Sequence, residues 1–332
     1  MTAAGANARF HIALGLLGGV YVVLILAMLV ADLSFTSPGH LWEALQSRDI
    51  RYAIRLSLIS CFVTTILSLW VAVPLGYLLS RTRFPGKAIV DTIVDVPIVL
   101  PPLVVGISLL ILFQTKPGKW IENMTANHMG VLLTYLAIPL MIGIACWPLV
   151  RQRTRGMNTL LSILVVAILA SFFLRYSGLG HRAEAELQAR FGTRITFQIP
   201  SVILAQFAVS CAFAVRTMRV TFDQISPRTE QVALTLGCTR SQAFWMVTIP
   251  EAWRGIVSAG TIAWARSLGE FGPILIFAGA TRMRTEVLST TVWLEFSVGR
   301  LEPALAVSLL MVVVAVVVLL LMRTFGLRGG VA

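Results

Sequence analysis

The sequence predicts an all-α, polytopic membrane protein, and three observations carry that prediction. Of its 332 residues 57% are apolar and only 13% are charged, where a water-soluble globular protein carries roughly 25% charged residues. The mean hydropathy is +0.84. Apolar runs of span length recur along the chain with short charged clusters between them. A bilayer-crossing helix needs roughly 20 mainly apolar residues, since every backbone amide must bond within its own segment.

Eight stretches meet that length: 10–31, 54–79, 88–113, 131–150, 157–176, 199–215, 256–278 and 303–322. The first is too long for the h-region of a secretory signal, which runs about 7–15 residues, and is read as a retained helix. The stretch 286–296 mixes polarities and is read as a re-entrant or interfacial piece. Eight crossings put both termini on one side, so the loops sort into two sets. One set carries fourteen basic residues against three acids, Asp223, Glu230 and Glu251; the other carries twelve against nine. The positive-inside rule makes the first set cytoplasmic. The basic excess is therefore a topology signal, which argues against a nucleic-acid partner. Four charges remain within spans: Asp91, Asp95, Arg266 and Glu270. Asp91 and Asp95 are expected to pair with Arg83 or Lys87. The four cysteines form no CxxC pair, and no metal site or cofactor is indicated.

The cytoplasmic segment 216–254 is long and patterned. Pro227, Gly237 and Pro250 punctuate it, and Val232, Leu236, Ala243, Phe244 and Val247 fall at intervals suited to two short amphipathic helices turning at Gly237. Apolar residues such as Phe244 and Trp245 in an exposed basic loop invite a partner.

The spacing Gln231-Val232-Ala233, Gly237, Val247, Ile249, Pro250 resembles the cytoplasmic loop of ABC importer permease subunits. That pattern reads Glu-Ala-Ala, three residues, Gly, nine residues, Ile-x-Leu-Pro. Its acidic position is open between Glu230 and Gln231. The strings Arg81-Thr-Arg-Phe-Pro-Gly-Lys87, Asp95-Val-Pro-Ile-Val-Leu-Pro-Pro102 with Gly106, and Ala265-Arg-Ser-Leu-Gly-Glu-Phe-Gly272 are similar to the permeases of molybdate, tungstate and sulfate importers. The resemblance covers 52–113 and 191–322. It implies a MetI-like bundle with a six-helix core, into which the pair 131–150 and 157–176 is inserted. The implied organisation is an N-terminal helix and external loop over 1–51, a permease domain over 52–322 with its insertion at about 121–190 and coupling loop at 216–254, and a cytoplasmic tail over 323–332.

The resemblance further implies a permease homodimer in the lipid bilayer. A cytoplasmic ABC ATPase subunit would be held through Glu230, Gln231, Ala233, Gly237, Arg240, Phe244 and Pro250, with Arg240 and Phe244 touching it. An external substrate-binding protein would dock at the Trp42, Trp120 and 282–300 face. No GxxxxGK[ST] phosphate loop occurs, so ATP hydrolysis is assigned to the separate subunit and the chain is not an enzyme.

Within the membrane, Arg266 and Glu270 are four apart and share a helical face. They either brace a gate beside Gly269 and Gly272 or lock the spans together. Pro97, Pro101 and Pro102 interrupt the third span's hydrogen bonds, marking either a gate near 97–106 with Gly106 or a packing kink. An ion-gradient-driven secondary transporter, or an importer for another small solute, is the alternative. An intramembrane enzyme is disfavoured, since HExxH and GxSxG are missing.

Overall fold

The computed structural model describes residues 3–36, 38–123 and 195–328. The expected spans 131–150 and 157–176 lie outside them. Every regular element among the described residues is helical. The long helices are α1 (Ala3–Phe35), α3 (Arg48–Arg81), α6 (Ile199–Gln224), α10 (Trp253–Leu268) and α13 (Leu301–Arg328). Shorter ones join them: α2 (Pro38–Gln46), α4 (Lys87–Val99), α5 (Pro102–Gln114), α7 (Pro227–Thr235), α8 (Arg240–Ala243), α9 (Ile249–Glu251), α11 (Gly272–Phe277) and α12 (Leu288–Ser297).

The centre is the bundle of α3, α6 and α10. Its contact faces are built from small and hydroxylated residues, because lipid is as apolar as leucine and close backbone approach replaces the hydrophobic drive. On α3, Ser57, Ser60, Cys61, Thr64, Ser68, Ala72 and Gly76 are buried at three- and four-residue intervals. A Cβ on Gly76 would stand 2.8 Å from Met218 Cβ on α6, so only glycine fits there. A polar seam runs through this contact. Gln206 Nε2 donates to the Ser267 carbonyl at 3.2 Å, Thr64 Oγ1 donates to Gln206 Oε1 at 3.2 Å, and Ser68 and Ser210 share a 3.2 Å hydrogen bond. α13 closes the other side against α2, α10 and α12. α1, by contrast, exposes apolar side chains on every face.

Several expected boundaries shift. The span at 88–113 is two helices bent by 113°. Leu100 and Pro101 each precede a proline, which disfavours the helical region for them, and both are extended, with ψ 138 and 134. Pro97 does not break the chain: it stays inside α4, and the Leu100 amide still reaches the Val96 carbonyl at 3.0 Å. The span at 256–278 also divides, into α10 and α11 with residues 269–271 between them. The helix predicted over 199–215 runs on to Gln224 because Met218 and Phe222 bury its inner face despite Arg216, Arg219 and Asp223. The coupling loop is correspondingly shorter than 216–254. The piece predicted at 286–296 is the ten-residue α12, about half the length a crossing needs.

Candidate functional site

Local signals shape the hairpin formed by α7, α8 and α9. Ser226 caps α7 with Pro227 at its first turn, the Arg228 amide reaching Ser226 Oγ at 3.4 Å. The helix stops at Gly237, whose φ is +92. There the Cys238 amide donates to the Ala233 carbonyl and the Gly237 amide to the Leu234 carbonyl, both at 3.1 Å; this pair is a Schellman stop. Thr239 and Gln242 then start α8 with a reciprocal capping box. Five residues, Phe244–Thr248, form a π-helical turn before α9.

The predicted hairpin residues divide by side. Ala233 and Ala243 are buried between the limbs. Gly237, Arg240, Gln231 and Pro250 are exposed. Leu236, Trp245 and Met246 are 80%, 56% and 70% exposed, an apolar patch around the turn. Phe244 instead turns inward, its ring 4.7 Å from Tyr77 on α3. Glu230 also faces inward: it accepts a hydrogen bond from the Tyr77 hydroxyl, and its other oxygen lies 3.8 Å from Arg81 Nε. Of the two candidates for the motif's acid, Glu230 is thus the anchored one and Gln231 the open one.

The second group of predicted residues lies where α5 crosses α11. A Cβ on Gly106 would stand 2.8 Å from Pro273 Cα, and one on Gly272 would stand 3.1 Å from both Leu103 N and Pro102 Cβ. The two interrupted helices therefore meet at their interruptions. Gly269 caps α10 with an ordinary φ of −80 and no close neighbour, so its position does not require glycine. Glu270 follows, almost wholly buried, with Arg266 Nη2 at 3.3 Å and the Arg266 side chain 36% exposed. Neither Glu270 oxygen makes a hydrogen bond. The guanidinium also lies 5.4 Å from the Phe213 ring. Pro102, Gly106 and Gly272 are brought together, Pro101 is exposed at the bend, and Pro97 stands one turn earlier.

Sequence reasoning chose the wrong partner for Asp91, which pairs with Arg219 on α6 rather than with Arg83 or Lys87. It also missed Tyr77 and Arg81 as hairpin anchors. Arg81 Nη2 further donates to the Ile225 carbonyl at 2.8 Å. These contacts join positions more than a hundred residues apart, and no local pattern announces them.

Comparison with known proteins matches residues 72–328 to the family described as "Binding-protein-dependent transport system inner membrane component". The sulfate transport system permease protein CysT of Escherichia coli is 25% identical over 82% of this chain and 76% of its own length. The molybdate/tungstate transport system permease protein WtpB of Pyrococcus abyssi is 30% identical over 68% of this chain and 60% of its own. In fold, the chain is similar to a chain of a bacterial alginate ABC transporter solved in complex with an alginate pentasaccharide-bound periplasmic protein. The TM-score is 0.60 at 17% identity, covering 98% of this chain and 96% of that one. The chain belongs to the binding-protein-dependent inner membrane component family: it is a multi-pass ABC importer permease subunit, and not itself an enzyme.

Proposed function

We propose that the chain is the translocating subunit of an ATP-driven oxyanion importer, with molybdate, tungstate or sulfate as cargo. Two copies would enclose the path, an ATPase subunit would grip the exposed Leu236, Trp245 and Met246 patch on the cytoplasmic side, and an external binding protein would deliver the ion. The basic loops put the hairpin and both termini in the cytoplasm. The observation that carries the mechanism is the meeting of two interrupted helices at Gly106 and Gly272. Non-helical backbone at membrane depth is tolerated where protein or a water-filled path satisfies it, and a crossing of that kind is a natural gate. Half-exposed Arg266 beside it offers an oxyanion a cation already screened by Glu270.

Support for the cargo class comes from the sulfate and molybdate permeases among the relatives. The alginate transporter shares the fold at lower identity and does not narrow the cargo. The test is uptake into proteoliposomes holding the permease, its ATPase and its binding protein, using labelled molybdate, tungstate and sulfate in turn. ATP-dependent accumulation of one of them is expected. Accumulation driven by an ion gradient without the ATPase overturns the importer reading, and ATP-dependent uptake of none of the three overturns the cargo.

A further inference from the structure

The hairpin is covalently continuous with α6 on one side and α10 on the other, but α3 reaches it only through side chains. Among the described residues the polar links from α3 to the hairpin both end on Glu230: the Tyr77 hydroxyl on one oxygen and Arg81 on the other. Around that junction a crevice of about 590 Å³ lies between the two, walled by Pro74, Leu78 and Thr82 on α3 and by Gln231, Leu234 and Ser241 on the hairpin, with Tyr77, Arg81 and Glu230 bridging it. Tyr77 also touches three further elements at once. Its ring packs edge-on against Phe244 at 4.7 Å and against Phe222 of α6 at 5.5 Å, while its hydroxyl holds α7.

We propose that Tyr77, seconded by Arg81, is the junction through which displacement of the hairpin moves α3. This rests on the coupling role given to the hairpin above. A push on the hairpin reaches α6 and α10 through the backbone, whereas α3 follows only if this junction holds. If it fails, the polar seam between α3 and α6 resists the motion instead of travelling with it. Tyr77 and Arg81 are thus positioning residues: they touch neither nucleotide nor transported ion, and they set how much of each ATPase cycle becomes transport. A partly buried, charge-assisted contact suits that task, because it is directional where an apolar face slides.

The experiment measures ATP hydrolysed per ion imported, with labelled molybdate and sulfate as probes, in proteoliposomes holding the complete transporter. Glu230→Arg, which removes the Tyr77 hydrogen bond to a charged acceptor, and Arg81→Glu, which sets two carboxylates side by side, are each expected to raise that ratio about tenfold. Tyr77→Phe, which keeps both ring contacts, should raise it severalfold. The double swap Arg81→Glu with Glu230→Arg rebuilds the ion pair in reverse but leaves the Tyr77 hydroxyl without its acceptor, so it should bring the ratio back to about that of Tyr77→Phe. Unchanged ratios in the single variants, or a swap no better than its worse parent, overturn the proposal. Should a single variant fail to assemble, recovery or failure of the swap decides. A starting protein that accumulates the probes on an ion gradient without its ATPase defeats the importer reading itself, whereas normal coupling with indifferent variants defeats only the junction.

Discussion

Substituting Gly106 by alanine puts one methyl group at the crossing of α5 and α11. It would stand 2.8 Å from Pro273 Cα, 3.0 Å from Ile276 Cβ and 3.2 Å from the Pro273 carbonyl oxygen, where non-bonded carbons prefer about 3.5–4.0 Å. These neighbours are backbone or branch-point atoms that cannot rotate aside, so the helices must separate by roughly 1 Å. Overpacking of this kind costs about 1–3 kcal/mol. Alanine returns up to about 1 kcal/mol in helix propensity over glycine, leaving a net destabilisation of up to about 2 kcal/mol. Gly269→Ala is the matched comparison: φ is −80 and the nearest atom lies at 3.8 Å, so its effect stays within about 0.5 kcal/mol. Denaturant unfolding of the purified permease in mixed micelles, followed by tryptophan fluorescence, measures both. Equal stabilities for the two variants, or a Gly106→Ala protein firmer than its parent, refute the close crossing.

Three other perturbations test separate parts of the fold. Gly237→Ala strains a left-handed position that has no neighbour within 4 Å, so its effect is conformational, about 1–2 kcal/mol; co-purification of the ATPase should drop roughly tenfold, with a smaller drop for Gly237→Asn. Glu286 lies outside the spanning helices with neither oxygen hydrogen-bonded, the Thr291 hydroxyl being engaged by the Val287 carbonyl at 3.0 Å. Burial holds its carboxyl above the ordinary 4.5, with Asp49 and Glu295 adding to the rise and Arg282 opposing it. A folded pKa above the unfolded one gives a contribution that is full below 4.5 and lost as pH rises through the folded value. Melting temperatures from pH 4.5 to neutrality should therefore fall in the parent and stay flatter in Glu286→Gln, and parallel curves refute this. Finally, Glu122 Oε1 accepts from the Ile195 amide at 3.0 Å, the Thr196 amide at 3.2 Å and Thr196 Oγ1 at 2.8 Å. That staple joins Glu122 to Ile195 and Thr196 across the intervening sequence. Replacing 124–194 by a short Gly/Ser link should leave membrane insertion and ATPase co-purification intact, and loss of both shows that the core depends on the insertion.

What the sequence revealed depends on the range of each signal. The hairpin was legible because Pro227 and Gly237 act within a few residues, whereas the Ser226 cap and the Thr239–Gln242 box, equally local, went unread. The bend before α5 was legible in kind, since paired prolines cannot continue a helix, but its 113° was not. The interruption between α10 and α11 was not placed, because Arg266, Gly269, Glu270 and Gly272 were read as marks on one continuous span, and the break shows only where α11 lies on α5. The end of α6 was misplaced for the opposite reason: Arg216, Arg219 and Asp223 look like a loop until Asp91 is found, 128 residues away, holding Arg219. The roles of Arg266 and Glu270 stay divided, because the same ion pair serves a gate and a lock.

At 34 residues, α3 is about 51 Å long, well beyond the roughly 30 Å of hydrocarbon it would cross. Its N-terminal end is tied through Asp49 to Arg282 at 3.4 Å and through Ser57 to the Leu288 amide at 2.8 Å; its C-terminal end is tied to Glu230. One helix held at both ends, with Pro74 as its weak point, is a route by which the two membrane surfaces would become thermodynamically answerable to each other. Whatever factor a docked ligand outside imposes on affinity inside must be returned, undiminished, in the opposite direction.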